Sequence, residues 1–245
     1  MSLKLRSVAV SDRGLIRGAN QDSVHAGPWL LAVADGMGGM AAGDLASTIA
    51  IDAIRPLDVE TPEEGLVAAL QDAVDTASAG IRAAIAEDPE RQGMGTTLTA
   101  LLLARTGACL ALAHVGDSRA YLLRGGTMTQ LTRDDTFVQM LVDEGVITPE
   151  EAHSHPRRAV VTRALQGEPV TPTYTTVVPQ PGDRWLLCSD GLSNVVRSDS
   201  LADALLGYPD PADCAARLVD LALRAGGPDN ITVVVADVLD IPDRG

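Results

Sequence analysis

Apolar residues recur at two different periods along this chain, and the switches between them mark its elements. Leu3 to Ser11 and Trp29 to Ala34 are short runs of strand length. The segment between them, SDRGLIRGANQDS, is polar and glycine-containing, and the pattern predicts a turn there. From Leu45 the period is helical, with Leu45, Ile49 and Ala53 at i, i+4 and i+8 and Pro56 ending the pattern. A second helix is predicted from about Pro62 to Ala86, with Leu66, Leu70, Val74, Ala77, Ile81 and Ile85 on one face. Thr61 is its expected N-cap and Glu64 the partner in a capping box.

At Gly95 the pattern becomes extended. TTLTALLLAR and ACLALAHV flank a Thr106-Gly107 turn, and AYLLR and TMTQLT flank Gly125-Gly126, which predicts two hairpins. DDTFVQMLVDEG and TPEEAHSH follow as short helices, the second with Thr148 as N-cap, Pro149 at the first helical position and Glu151 closing a capping box. This polar insertion, at about 133–165, lies between strands and is expected to form a mobile flap. TYTTVV and RWLLCSD return to strand, Asp213 to Ala225 is helical, and Ile231 to Val238 closes with a strand. The order implies an α+β fold of two antiparallel sheets with helices outside.

The 245 residues are 46% hydrophobic, enough for a sizeable core in a single domain over 1–245. Neither a low-complexity linker nor a repeat is visible. The longest apolar stretches, such as LTALLLA, are too short to span a bilayer, and the N-terminus lacks a signal-peptide core, so a soluble protein without membrane contact is expected. A formal charge of −14 argues against nucleic acid, whose backbone is gripped by lysine and arginine. Any phosphate substrate would also be repelled at long range, unless divalent ions reverse the field locally. Cys109, Cys188 and Cys214 contain no CxxC pair, and Cys109 and Cys188 fall inside apolar runs; all three read as small buried hydrophobes of a reducing, cytoplasmic compartment.

Four aspartates change the picture. Asp35 in WLLAVADGMGG, Asp117 in CLALAHVGDSR and Asp190 in RWLLCSDGLSN follow strand-like runs, whereas Asp229 in GGPDNITVVVADV precedes one. Asp-Gly is a common turn dipeptide, and one such site alone would be read as a turn. A carboxylate is not left unpaired in a core, so each of these acids belongs where its strand leaves the core, and strands sharing a core can bring them to one rim. The chain has one lysine, Lys4, which is not among them. Such a cluster repels itself unless cations fill it, and oxygen-only ligands select hard ions such as magnesium or manganese. A multi-metal hydrolytic centre is the expectation.

The motifs SDRGLIRGANQD, VADGMGG, GTTLTALLL, HVGDSRAYLLR, LTRDDTFVQMLVDEG, HPRRAVVTRAL, LLCSDGL and GGPDNITVVV resemble, in order and nearly end to end, the bacterial metal-dependent serine/threonine protein phosphatases of type 2C. DDTFVQ, LVDEG and ITPEEAHSHP look especially like the catalytic domain of actinobacterial housekeeping phosphatases that oppose receptor-like kinases. The resemblance implies a four-layer α-β-β-α sandwich with its metal site at one end. It implies that Asp35 bridges two Mn2+ or Mg2+ ions, that the Gly36 carbonyl ligates one, that Asp190 and Asp229 complete the other, and that Asp117 with Asp190 holds a third. Asp22 resembles the acid that hydrogen-bonds a metal ligand water, and Arg17 the phosphate-binding arginine. Partners would be phosphorylated proteins, serine/threonine kinases and their substrates among them, acted on by a monomer.

There are departures from the eukaryotic pattern. Met37 stands where those enzymes carry a histidine proposed as general acid, and Gln21 replaces an acid found in many relatives. His114 in its strand is expected to be structural, His153 and His155 at i, i+2 do not face one site on a helix, and Asp134 and Asp135 are expected to touch substrate or cap a helix. Two other functions are open from sequence: a catalytically silent regulatory member of the fold, and a phosphatase dedicated to one small regulator. The end at IPDRG, just after the last strand, is consistent with a catalytic domain cut from a longer, membrane-anchored protein.

Overall fold

Strand β3, Leu30–Met37, shows why the hydrophobic runs are continuous rather than alternating: both of its faces are buried. Leu30, Ala32 and Ala34 pack into one hydrophobic cluster, and Leu31 and Val33 into another, the two-residue period of a strand enclosed on both sides. The computed structural model describes residues 2–38 and 42–241.

One sheet contains β1 (Ser2–Asp12), β11 (Ile231–Ile241), β10 (Arg184–Cys188), β7 (Arg119–Arg124) and β8 (Thr127–Gln130) in that spatial order. The other contains β2 (Asp22–Ala26), β3, β5 (Leu98–Leu103), β6 (Leu110–Val115) and β9 (Thr173–Val177), with the short β4 (Gly95–Thr96) also on β3. All the pairings are antiparallel. Leu31, Val33, Leu101, Trp185, Leu187 and Val234 fill the space between the sheets. Helices α1 (Ala42–Ile54) and α2 (Leu66–Glu87) cover the second sheet through Ile51, Leu70, Val74 and Ile81. On the first lie α5 (Asp190–Ser193), α6 (Ser198–Gly207) and α7 (Pro211–Arg224), through Leu192, Leu201, Leu205 and Leu218. The result is the expected four-layer sandwich. The insertion forms α3 (Phe137–Asp143) and α4 (Pro149–Ser154), and the Thr148/Glu151 capping box is present.

Three local expectations are corrected. The Thr61/Glu64 box does not form, because the chain enters α2 through a 3-10 turn, Glu63–Gly65, and the Thr61 hydroxyl donates to the Val59 carbonyl instead. The segment before Trp29 is not all turn, since β2 begins at Asp22. The third is α6, which has only Leu201, Ala204 and Leu205 buried and so gives too short a periodic signal to predict. Among the described residues, no helix is long and apolar enough to cross a membrane.

Candidate metal centre

Asp35 does not end its strand; it sits within β3 directly opposite Asp22 of β2, in antiparallel register. Like charges facing each other across a strand pair are unfavourable, so this pair needs another partner. The Asp35 N–H donates to the Thr97 hydroxyl at 3.0 Å, and that hydroxyl lies 2.8 Å from Ser118 Oγ. Ser118 follows Asp117, so two neutral hydroxyls connect the backbones carrying two of the acids. Asp117 itself leaves β6 after Gly116, whose φ of +107° favours glycine and whose Cβ would fall 2.6 Å from Thr97 Cγ2.

From the other sheet come Asp190, the first residue of α5, and Asp229, just before β11. Ser189 ties the two sheets together: its hydroxyl donates to Asp22 Oδ2 at 2.8 Å and accepts from Thr232 N–H at 3.0 Å. Asn194 Nδ2 donates to Asp190 Oδ2 at 2.9 Å. Asp229 accepts from the Asn230 N–H through Oδ1 and from Arg17 Nη2 through Oδ2, at 2.8 and 2.6 Å. Arg17, Asp35, Gly36, Asp117, Asp190 and Asp229 therefore line one cleft of about 520 Å³, with Met37 beside them and Ala159 and Val161 of the insertion facing in. Asp22 adjoins the cleft through Asp35 and Ser189. Glycine is required at 36, since a Cβ there would stand 2.1 Å from the Gly43 carbonyl oxygen.

Burial is the first cause of every carboxyl shift here, and mutual repulsion adds to it. Asp35 is held well above the usual carboxylate range by desolvation and then by Asp22, Asp190, Asp117 and Asp229. Asp117 is pushed up to about 8 by burial and then by Asp190 and Asp134, with Arg119 opposing. Asp190 rises to about 6 through burial and then Asp229 and Asp22. Asp22 also rises to about 6; burial drives it up, and hydrogen bonds from Thr232 and Ser189 hold it back. Arg17 is shifted upward, chiefly by its hydrogen bond to Asp229. Asp35 and Asp190 are half-buried and line the cleft, where solvent or ions can reach them.

These groups fit divalent cations. Asp22 Oδ1 is buried without a hydrogen-bond partner among the described residues, and a buried acceptor of this kind calls for a donor or a cation. The donor set is all oxygen, which suits hard ions. No three His, Cys, Asp or Glu side chains among the described residues close into a ready-made cage. Ions here would keep much of their coordination as water, as magnesium commonly does.

Other sequence candidates serve the scaffold. Asp134 pairs with Arg119 through contacts of 2.7–3.1 Å. Asp135 accepts from Gly116 N–H at 3.0 Å and from Arg163 at 3.1 Å, so it braces the turn before Asp117. Neither acid caps α3; Thr136 does, accepting from Gln139 N–H. His114 is buried, with Nε2 3.0 Å from the Arg133 carbonyl and Nδ1 2.9 Å from Thr99 Oγ1, and is structural as expected. His155 packs on Phe137, and neither it nor His153 lines the acid cleft. Sequence reasoning missed Thr97, Ser118, Ser189 and Asn194. The last three stand close in sequence to one of the clustered acids, and Thr97 falls inside the motif GTTLTALLL, but neither signal gives their contacts.

Fold and site together define an α-β-β-α sandwich protein with a carboxylate-rich cleft suited to divalent cations. The family description "Protein phosphatase 2C" matches residues 17–221. The chain is 56% identical over 240 residues to the serine/threonine protein phosphatase PstP of Mycobacterium tuberculosis, covering 98% of this chain and 46% of that protein. It thus spans about half the length of that curated relative. The crystal structure of the M. tuberculosis phosphatase PstP/Ppp superposes with a TM-score of 0.94 at 56% identity, over 97% of this chain and 100% of that one. The PstP catalytic domain in complex with two manganese ions gives 0.91 at 55% identity, over the same 97% and 100%. The chain belongs to the protein phosphatase 2C family.

Proposed function

We propose that this chain hydrolyses phosphoserine and phosphothreonine in proteins with two Mn2+ or Mg2+ ions in its core site and a third beside them. The observation that carries this is the convergence of Asp22, Asp35, Asp117, Asp190 and Asp229 with Arg17 at one cleft and no lysine. The names of its relatives and the two manganese ions of PstP support it. Asp35, the Gly36 carbonyl, Asp190 and Asp229 would hold the two core ions, and Asp117 with Asp190 the third. When bound, such ions ionise a water near neutral pH and neutralise phosphoryl oxygens.

The remaining work belongs to the chain. Arg17 offers a planar fork to two phosphoryl oxygens, a geometry an ammonium cannot reproduce. Asp22, held by Ser189, orients water at the base of the cleft. Ala159 and Val161 exclude bulk solvent from one wall. Met37 offers no proton, so the proton for the leaving serine or threonine oxygen would come from a water positioned beside Asp117, whose own carboxylate is ionised when it holds an ion. A silent binding module would gain nothing from partly buried acids that repel one another, which favours the enzyme.

Residues 1–245 act as one catalytic unit with a flap at about 133–165. The protein works in the cytoplasm as a monomer, against serine/threonine kinases. The test is hydrolysis of a phosphothreonine peptide with Mn2+, with Mg2+ and after chelation; absence of turnover under every metal condition would overturn the proposal.

A further inference from the structure

The segment from Arg13 to Gln21 lies between β1 and β2 and carries Arg17 to the cleft without regular structure of its own. One buried side chain closes its base. Asn230, 5% exposed, donates through Nδ2 to the Arg13 carbonyl at 2.8 Å and to the Ala19 carbonyl at 2.9 Å. Its Oδ1 accepts from Gln21 N–H at 2.9 Å. Both amide hydrogens and the amide oxygen are used, and the partners fix which way the group points, since carbonyls face the nitrogen and an N–H faces the oxygen. Arg17 lies between Arg13 and Ala19, so the two carbonyl contacts bracket it.

The neighbouring contacts give this clamp a direction. Leu15 N–H donates to the Gly227 carbonyl at 2.8 Å, and Asn20 Nδ2 donates to Ser11 Oγ at 2.8 Å. Gly14, at φ +76°, approaches so closely that a Cβ would stand 2.1 Å from the Asp229 carbonyl oxygen. Gln21 is also held from the opposite side, its carbonyl accepting from Gly36 N–H and Ser47 Oγ at 3.2 and 2.6 Å. The Gln21 end of the segment thus has other anchors, while the Arg13 and Ala19 carbonyls receive Asn230 Nδ2. One dipeptide reaches the arginine by two routes: Asp229 holds its guanidinium and Asn230 the backbone on either side.

We propose that Asn230 is a positioning residue for phosphoryl recognition: it borders the cleft, but its amide is committed to the backbone of the Arg17 segment, and through that backbone it sets where Arg17 stands relative to Asp229. This rests on Arg17 being the phosphate-binding residue. Aspartate could replace the amide oxygen but supplies no N–H to Arg13 or Ala19 and adds a charge beside Asp229. Alanine abandons all three bonds and frees the backbone on either side of Arg17.

The test compares Asn230→Ala, Asn230→Asp, Arg17→Ala and the Asn230→Ala/Arg17→Ala double variant, in the manganese-loaded 245-residue protein. Four quantities are read: KM for p-nitrophenyl phosphate, Ki for inorganic phosphate, manganese stoichiometry by calorimetry, and melting temperature. Either Asn230 variant should raise KM and Ki by about tenfold, the scale of one weakened charge-assisted contact, with manganese stoichiometry unchanged. In the Arg17→Ala background, Asn230→Ala should add little, because the residue through which it acts is gone. If the alanine variant does not fold, the nearly isosteric aspartate variant decides. Additive losses, an unchanged Ki in a folded variant, loss of manganese, or failure of both variants to fold would each overturn the positioning role. An unaltered Ki in Arg17→Ala alone would instead overturn the phosphate-binding role of Arg17.

Discussion

Arg17 Nη2 donates to Asp229 Oδ2 at 2.6 Å across 212 positions of chain, joining the loop after the first strand to the turn before the last. Half of the arginine side chain is exposed, and ion pairs of that kind contribute little to stability. Its value lies in placing a fork of donors beside the clustered acids of the cleft. Arg17→Ala is expected to raise KM for phosphate esters by about ten- to 150-fold, the loss of one charge-assisted contact of about 1.5–3 kcal/mol, with little change in melting temperature. Steady-state kinetics on a peptide and on p-nitrophenyl phosphate check this, and unchanged constants on both would make the arginine a surface residue.

Activity should vanish on chelation and return with Mn2+ or Mg2+, and Asp229→Ala should lose bound metal together with turnover. Elemental analysis alongside the assay distinguishes a metal-independent enzyme from one with retained ions. Full activity in demonstrably metal-free protein would sink the metal-dependent mechanism.

Stability of the metal-free protein should depend on pH in a defined direction. Asp22 and Asp190 are raised to about 6 and Asp117 to about 8, above the ordinary value of 3.8. Between these values the folded state holds more protons than the unfolded chain, so stability present in acid is lost as pH rises through 6 and then 8. Without metal the melting temperature should fall from about pH 5 to about pH 8; with saturating Mn2+, which takes over neutralisation of the acids, the fall should shrink. Calorimetric scans at matched ionic strength decide it, and a metal-free melting temperature that climbs steadily over this range contradicts the assigned burial.

Asp117→Ala should separate leaving groups. Two core ions should remain bound, because Asp35, Asp190 and Asp229 are untouched. Turnover should drop most on alkyl phosphoproteins, whose leaving oxygen is strongly basic, and least on p-nitrophenyl phosphate. Equal losses on the two substrates would reject a role for Asp117 in protonating the leaving group.

Asp35, Asp117, Asp190 and Asp229 could be picked out in the sequence because each interrupts or borders an apolar run where a charge is costly. Both hairpins and the Thr148 cap could be read for similarly local reasons, their signals lying within a few residues. Arg17 and Asp22 lie in a polar segment with no periodic signal and emerged only through family resemblance. Thr97, Ser189 and Asn230 act across 62, 167 and 209 positions, distances at which a single sequence carries no pairing information. Thr61 shows the converse failure: a good local capping signal was overridden when its hydroxyl turned to Val59 and its backbone to Arg105.

Strand β3 is enclosed on both faces and carries Asp35, whereas Arg17 rides on an irregular loop and Ala159 and Val161 on the insertion. Substitutions can therefore accumulate around the mouth of the cleft while the acids beneath stay in place. Under the proposed function, this architecture would let new phosphoprotein clients be acquired without reinventing the chemistry, and inhibitors aimed at the mouth would tell such enzymes apart where inhibitors aimed at the ions would not.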